Sequence, residues 1–484
     1  MLLCIQMVTD GLGTFRGIAR CLEAFAQWFD IPTPSPVTLQ NWVMRLGAYL
    51  LERQLPFQGD WVLIPDHTVQ QGKEKCLVLL GVPTKALENN IKLKHTDVQV
   101  LSILPQENAT GETVLEAFQE TAGHYGPPAY IVSDKGSDLA KGIRLYCEDH
   151  PETAEIYDIT HDMALQLKKE LEDDLQWKAF SKCVAQTSQE TRQTELLFLA
   201  PNAMRTKSRF LNLGGTLTWA EKILAYSKLD DFDDIGTGYF LNEEQVSKLR
   251  IYNGMNQLEP LHQLQDRHFP DKETFLSALK SLPGDLPESL CRIVLVAADK
   301  NRERFTQKFG WLEGYREDVD FWSQIYLATQ LAMIQVKEKG LNHMTVEELR
   351  SEFSQKLKPT SERAIAFCER VLTCVQDQAN KVPKGSTWLG TSDIIESIFG
   401  KAKIFSNRTP LKTINASILT IPVFTEELSP NLVKEAMENF SMERLRKLCR
   451  RLFGVSAFNK RNLVFSRLQK VGDMCDQLEL DLAP

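Results

Sequence analysis

Trp61-Val-Leu-Ile-Pro-Asp-His-Thr-Val69 is the stretch on which the fold turns. Four apolar residues run up to Asp66, the pattern of a mostly buried strand. A carboxylate at the end of such a run is costly unless something cationic meets it. Tyr130-Ile-Val-Ser-Asp134 repeats the arrangement, and Thr391-Ser-Asp-Ile-Ile-Glu396 offers a glutamate on an expected helix. The reading is that Asp66, Asp134 and Glu396 converge on a pair of divalent cations. Two of them have rivals. Asp138 lies one helical turn beyond Asp134, but Asp134 follows directly on the apolar run. Asp393 shares a face with Glu396, yet also suits a helix N-cap or first turn.

Working outward, Trp61–Val69, Glu74–Val82 and Val98–Leu104 read as three successive strands, with Gln70-Gln-Gly-Lys73 as a turn between the first two. A helix over Gly111–Tyr125 is stopped by Gly126-Pro-Pro128. Then come the strand that ends in Asp134, a helix from Ser137 to about Glu148, and a strand over Ile156–Thr160. A three-strand meander followed by alternating helix and strand is a mixed α/β sheet with helices on both sides, in ribonuclease-H-like order. In that order the first and fourth strands are neighbours, which brings Asp66 and Asp134 within reach of one site.

These motifs, with Tyr157-Asp-Ile-Thr-His-Asp162 and Asp393-Ile-Ile-Glu-Ser-Ile-Phe-Gly-Lys401, resemble the DDE transposases over roughly Asp60–Asp174 and Trp388–Ser406. Asp158-x-x-His161 is similar to a signature that several cut-and-paste superfamilies carry after their second aspartate. The chain between Asp134 and Glu396 is far longer than the few dozen residues an uninterrupted core needs. Transposases of the hAT type resemble it in carrying a helical insertion there. Helices over Phe321–Lys337 and Ser361–Lys381, and a capping box at Thr345–Glu348, agree with that arrangement. Trp219 is open to two readings, a base-stacking aromatic or a core tryptophan.

The resemblance implies a ribonuclease-H-like core (59–175, returning at 386–430) interrupted by an all-α insertion (176–385). It implies Mg²⁺, or Mn²⁺, as two ions on Asp66, Asp134 and Glu396, because paired cations serve phosphodiester cleavage and carboxylates are the hard ligands they prefer. His161 would bond the scissile phosphate or orient a ligand, with Asp158 fixing its ring. The partners implied are double-stranded DNA, at transposon ends and target, and a second copy of the chain. Two alternatives stay open: a ribonuclease-H-like nuclease or resolvase, and a domesticated DNA-binding protein without catalysis.

The flanks are helical. Phe15, Ile18, Ala19, Leu22 and Phe25 fall on one helix face, leaving Arg16 and Arg20 on the other. After Ile31-Pro-Thr-Pro-Ser-Pro36, Ser35 can cap and Pro36 can start a second helix with Leu39, Trp42, Val43 and Leu46 inside. Thr38, Gln40, Asn41 and Arg45 then point outward, so 1–58 reads as a helix-turn-helix-like DNA-binding unit. Met1 falls abruptly at its start, as if a further region preceded it. Lys401 and Lys403 follow Glu396 as phosphate contacts, or as ordinary lysines near a helix end. In the C-terminal helical region, 431–484, nine basic residues stand against the single acidic Glu443 between Ser441 and Lys470. Phosphate contact and a solvated helix face are both open there.

Bulk properties narrow the class. The 484 residues suggest two to four units, and a net charge of −8 argues against indiscriminate coating of nucleic acid. Apolar runs fall short of the roughly 18 residues of a membrane span, and the start lacks signal-peptide chemistry, so a cytoplasmic chain without membrane contact is expected. Ten cysteines without a Cys-x-x-Cys pair read as reduced thiols, and Cys147-Glu-Asp-His150 is a lone Cys-x-x-His. Gly-x-x-x-x-Gly-Lys-Ser/Thr, Gly-x-Ser-x-Gly and His-Glu-x-x-His are not found.

Overall fold

The computed structural model describes residues 1–466 apart from 54, 58, 72–73, 195, 203–209, 211, 228–303, 360, 407–413 and 455–459. In chain order the described elements begin with α1 (Leu2–Thr9), α2 (Phe15–Ala26), α3 (Pro36–Arg53), β1 (Trp61–Gln71), β2 (Glu74–Pro83), α4 (Thr84–Asn89) and β3 (Gln99–Gln106). Next are α5 (Gly111–Tyr125), β4 (Tyr130–Ser133), α6 (Ser137–Asp149), β5 (Ala154–Tyr157), α7 (Ile159–Leu171), α8 (Leu175–Thr191) and α9 (Gly214–Tyr226). After the segment that is not described come α10 (Arg316–Lys339), α11 (Thr345–Lys356), α12 (Glu362–Ala379), α13 (Asp393–Ser406), α14 (Pro430–Asn439) and α15 (Met442–Phe453). The chain is mixed α/β and mostly helical. It divides into one compact unit of Met1–Asp162, Ala332–Arg350 and Leu372–Pro484, and another of Met163–Leu331 and Ser351–Val371.

In the first unit five strands form a mixed sheet in the order β3-β2-β1-β4-β5. β1 pairs antiparallel with β2, and β2 with β3, while β1–β4 and β4–β5 are parallel. The first and fourth strands are thus neighbours, as their order along the chain predicts. Trp61–Pro65 is an unbroken buried run because β1 is the middle strand and both its faces are covered. One face is covered by α5 and α6, whose Val114, Phe118, Leu139, Ile143 and Tyr146 pack on Trp61, Leu63, Leu77, Leu79 and Ile131. Thr110 caps α5 by accepting from the Thr113 amide, and Gly126 at φ 79° ends it.

β1 and β4 are joined in register only at Val62–Tyr130 and Leu63–Ile131. Pro65, two residues on, has no N–H with which to extend a ladder. These two strands therefore part just before Asp66 and Asp134, each of which lies three positions past the last residue that pairs β1 with β4. Strand β5 is shorter than expected and stops at Tyr157. Asp158 then caps a helix: its Oδ1 accepts from the amides of Thr160 (2.6 Å) and His161 (3.1 Å), so these residues belong to α7.

The N-terminal helices behave differently from a free DNA reader. Ser35 does cap α3, accepting from the Thr38 amide at 3.1 Å, and Leu39, Val43 and Leu46 are buried as expected, while Trp42 is half-buried. The rest of α3 is enclosed by C-terminal segments. Met44 and Ala48 pack with Leu419, Phe440, Leu445 and Leu448, and a Cβ on Gly47 would lie 1.6 Å from the Leu419 carbonyl oxygen. Arg45 does not point outward. Its Nε donates to the Phe440 carbonyl (2.7 Å) and its Nη2 to that of Met437, which satisfies carbonyls at the C-terminus of α14. Gln40 and Asn41 are half-buried, whereas Arg16 and Arg20 are exposed. Phe25, expected inside, is 53 % exposed; α2 packs through Ile18, Ala19 and Leu22 instead.

In the second unit Trp177, Phe180 and Trp322 form an aromatic cluster, extended by Trp311 and Tyr315. Glu170 receives both Arg363 (2.6 Å) and Arg370. The Trp219 indole N–H donates to the Leu199 carbonyl at 2.8 Å and its ring lies against Phe309 and Trp311. Its ring is thus packed among aromatics of this unit, half-buried rather than fully enclosed. Thr345 opens α11 without a capping box: it accepts from the Asn342 amide (2.9 Å), while Glu348 pairs with Lys339 (2.8 Å) in the first unit. The eight described cysteines form no disulfide with one another, and the His150 ring stacks on Tyr146. Among the described residues no helix is long and apolar enough to cross a membrane.

Candidate functional site

Four elements of the first unit bring polar groups to the end of the sheet where β1 and β4 part. Asp66 comes from β1, Asp134 from the turn after β4, His161 from the first turn of α7 and Glu396 from the first turn of α13. Asp134 is held by its own loop, its Oδ1 accepting from the Gly136 amide at 3.0 Å. Asp66 Oδ1 accepts from the His67 amide at 2.6 Å. The ring Nε2–H of His161 donates to Glu396 Oε1 at 2.9 Å.

Electrostatics tie these groups together. Burial first, then the charge of Asp134 and, less strongly, that of Glu396, push the Asp66 carboxyl up to about 7, although the His67 amide and the His161 charge act the other way. The His161 ring is raised to about 9, first by its hydrogen bond to Glu396 and further by the charges of Asp158, Glu396 and Asp134, against the cost of burial. The same hydrogen bond holds Glu396 below the usual glutamate range. Three carboxylates and one imidazolium thus share a field.

Asp158 anchors the arrangement. It is fully buried, and besides the two amides of α7 its Oδ2 accepts from the Ser392 amide (2.7 Å) and the Ser392 hydroxyl. One carboxylate therefore fixes the starts of both helices, the one that carries His161 and the one that carries Glu396. It grips the backbone of His161 and not its ring, contrary to the expectation from sequence. Around it the Ile159 amide donates to the Gly390 carbonyl (3.0 Å) and the Leu389 amide to the Tyr130 hydroxyl (3.0 Å), with Trp388 stacked on Tyr130 at 4.2 Å. These contacts return residue 388 onward to the sheet.

The rivals are accounted for elsewhere. Asp138 is 8 % exposed and paired with Lys75 at 2.7 Å, with His67 Nε2 3.6 Å away. Asp393 pairs with Lys337 at 2.7 Å. Lys401 lies 5.9 Å from the Phe424 ring and Lys403 lies 5.7 Å from the Phe399 ring. Sequence reasoning missed Ser392 and Lys75. A Thr-Ser pair just ahead of a helix signals a cap, but a cap bonds its own helix; nothing local says that Ser392 would donate to an aspartate over two hundred positions away.

Among the described residues no group of three His, Cys, Asp or Glu side chains is gathered closely enough to hold a metal ion. Glu396 is engaged with His161, and Asp66 meets like charge across the site. No protein-family model matches the chain, and no curated protein matches it either.

Proposed function

We propose that this chain is a DNA transposase of the DDE type, which cuts phosphodiester bonds at transposon ends and transfers the freed strand, on a ribonuclease-H-like core. The observation that carries the reading is the placement of Asp66 and Asp134 past the last paired residues of the parallel strands β1 and β4, with Glu396 and His161 in the same field. Strand order β3-β2-β1-β4-β5, with its antiparallel and parallel halves, supports the same core. Acidic groups at the point where two neighbouring parallel strands part, beyond their shared ladder, are where such sheets place their sites.

The donor set suits hard divalent cations. Asp66, Asp134 and Glu396 offer only carboxylate oxygens, and Asp66 is a half-buried acid facing two like charges, which a cation would relieve. Asp66, Asp134 and Glu396 would hold two Mg²⁺ or Mn²⁺ ions, which when bound supply charge for the attacked phosphate and the leaving oxygen. Asp66 must first give up the proton that burial favours. Glu396 would turn from His161, leaving the ring Nε2–H to meet a phosphate oxygen, whose charge would replace that of Glu396 beside the ring. Asp158 keeps the helix starts fixed meanwhile. The DNA partner and a second copy of the chain belong to this reading.

The test is divalent-metal-dependent cleavage of a duplex carrying the element's own end, comparing the wild type with Asp66→Ala, Asp134→Ala and Glu396→Ala. Each variant should lose cutting. Retained cutting in any one removes that residue from the site, and a wild type that leaves the duplex intact sinks the reading.

A further inference from the structure

Helix α15 carries a face of charge that the acidic site does not use. Its apolar stripe is spent inside the protein: Leu445 and Leu448 are buried against Met44, Ala48 and Phe440. That packing turns Arg444, Arg446, Lys447, Arg450 and Arg451 outward, and all five are exposed. Two internal carboxylates answer part of this charge. Glu52 takes Arg444 at 2.6 Å and lies 4.0 Å from Arg451, and Glu443 takes Lys447 at 2.8 Å. Arg446 and Arg450 have no ion-pair partner among the described residues.

Those two arginines stand four positions apart on the same helix face, as do Lys447 and Arg451, and like charges at that spacing destabilise a helix. The helix dipole accounts for Arg450 and Arg451 in the last turn. It does not account for Arg444, Arg446 and Lys447. A chain with a net charge of −8 has ample acidic side chains with which to alternate, yet it offers only Glu443 along this helix.

We propose that the outward face of α15 is a docking surface for the phosphate backbone of duplex DNA, with Arg446 and Arg450 as its unshared contacts. Four of the five basic groups are guanidinium forks, which bind phosphate oxygens in pairs. A lipid surface is disfavoured because an interfacial helix needs an apolar face to enter the bilayer, and that of α15 is already buried. Contacts of this kind position a duplex without reading its sequence. The inference goes beyond the acidic site and does not depend on cutting.

The test uses the full chain in EDTA and a labelled 30-base-pair duplex of random sequence. Anisotropy is followed from 50 to 300 mM KCl for the wild type, for Arg446→Gln/Arg450→Gln, and for Arg446→Lys/Arg450→Lys. Each phosphate contact contributes about 0.9 to the slope of log affinity against log salt, so the glutamine variant should be shallower by about 1.8. Its affinity at 100 mM should fall about tenfold or more, and the lysine variant should keep most of the slope. An unchanged slope and affinity in the glutamine variant, in protein whose urea midpoint matches the wild type, overturns the proposal. So does a wild type that does not bind the duplex, or binding to anionic phospholipid vesicles that the glutamine variant loses while duplex affinity stays. Cleavage by the acidic residues is scored separately, so either idea can fail alone.

Discussion

His161 and Glu396, 235 positions apart, meet through one hydrogen bond of 2.9 Å between the first turns of two helices. The contact raises the ring and lowers the carboxyl. In this arrangement a cation made by the protein itself occupies the glutamate.

That pair sets a pH signature. The His161 ring has a folded value of about 9 against 6.5 when unperturbed, so its stabilisation is fully present below pH 6.5 and is lost as pH rises through 9. The side chains are 36 % and 53 % exposed, so solvent screening limits the effect to about 1 kcal/mol. Urea unfolding of the wild type and His161→Gln at pH 6 and pH 10 should show a gap at the lower pH that closes at the higher. A gap of equal size at both values would mean that His161 acts through packing.

Asp66 works in the opposite sense. Its carboxyl rises from 3.8 to about 7, so ionised Asp66 costs stability; the cost is absent below pH 3.8, grows as pH rises and is complete above about 7. Asp66→Asn should therefore be more stable than the wild type at pH 8, by about 1–3 kcal/mol, and equal to it near pH 4. Millimolar Mg²⁺ should raise the melting temperature of the wild type more than that of Asp66→Asn at pH 8. Equal responses to the metal would exclude Asp66 as a ligand.

Asp158 is expected to be structural first and functional in consequence. Asp158→Asn keeps the shape but points an amide at backbone donors that the carboxylate now satisfies, for a loss of about 2–4 kcal/mol by urea denaturation. The His161 ring should titrate closer to 6.5 by NMR in the same variant, because the Asp158 charge is removed and the helix starts are no longer tied. An unmoved His161 resonance would show that Asp158 does not position it.

Asp138 separates stability from chemistry. It holds Lys75 at 2.7 Å and is buried, so Asp138→Asn should lower the urea midpoint while leaving metal-dependent cleavage within about threefold. Cleavage lost in Asp138→Asn and kept in Asp134→Asn would exchange their assignments.

Gly47→Ala tests the enclosure of α3. The added Cβ would fall 1.6 Å from the Leu419 carbonyl oxygen, a backbone atom that cannot step aside as a side chain can. A loss of about 3 kcal/mol or more is expected, at the upper end of overpacking effects. A neutral result would mean that the C-terminal segments do not close on this helix.

The sheet was legible because its signal is local. Val62, Leu63 and Ile64 ahead of Asp66, and Ile131 and Val132 ahead of Asp134, declare buried strands by their own apolar runs, and their order along the chain predicted which two would be neighbours. Ser35 and Pro36 likewise announced the start of α3. What periodicity could not reveal was which face of a helix meets which partner. Arg45 has the spacing of an outward residue, yet it caps a helix almost four hundred positions away, and Phe25 has the spacing of an inward one, yet stays exposed. The sequence by itself determined the strands that lead to Asp66 and Asp134 and the Ser35 cap of α3, since those follow from neighbours a few bonds apart. Only the tertiary structure decided that Asp158 would grip Ser392, that His161 would take Glu396 and that α15 would turn its arginines to solvent. Such pairings depend on where distant backbone groups arrive once the core has closed, and no local pattern encodes that distance.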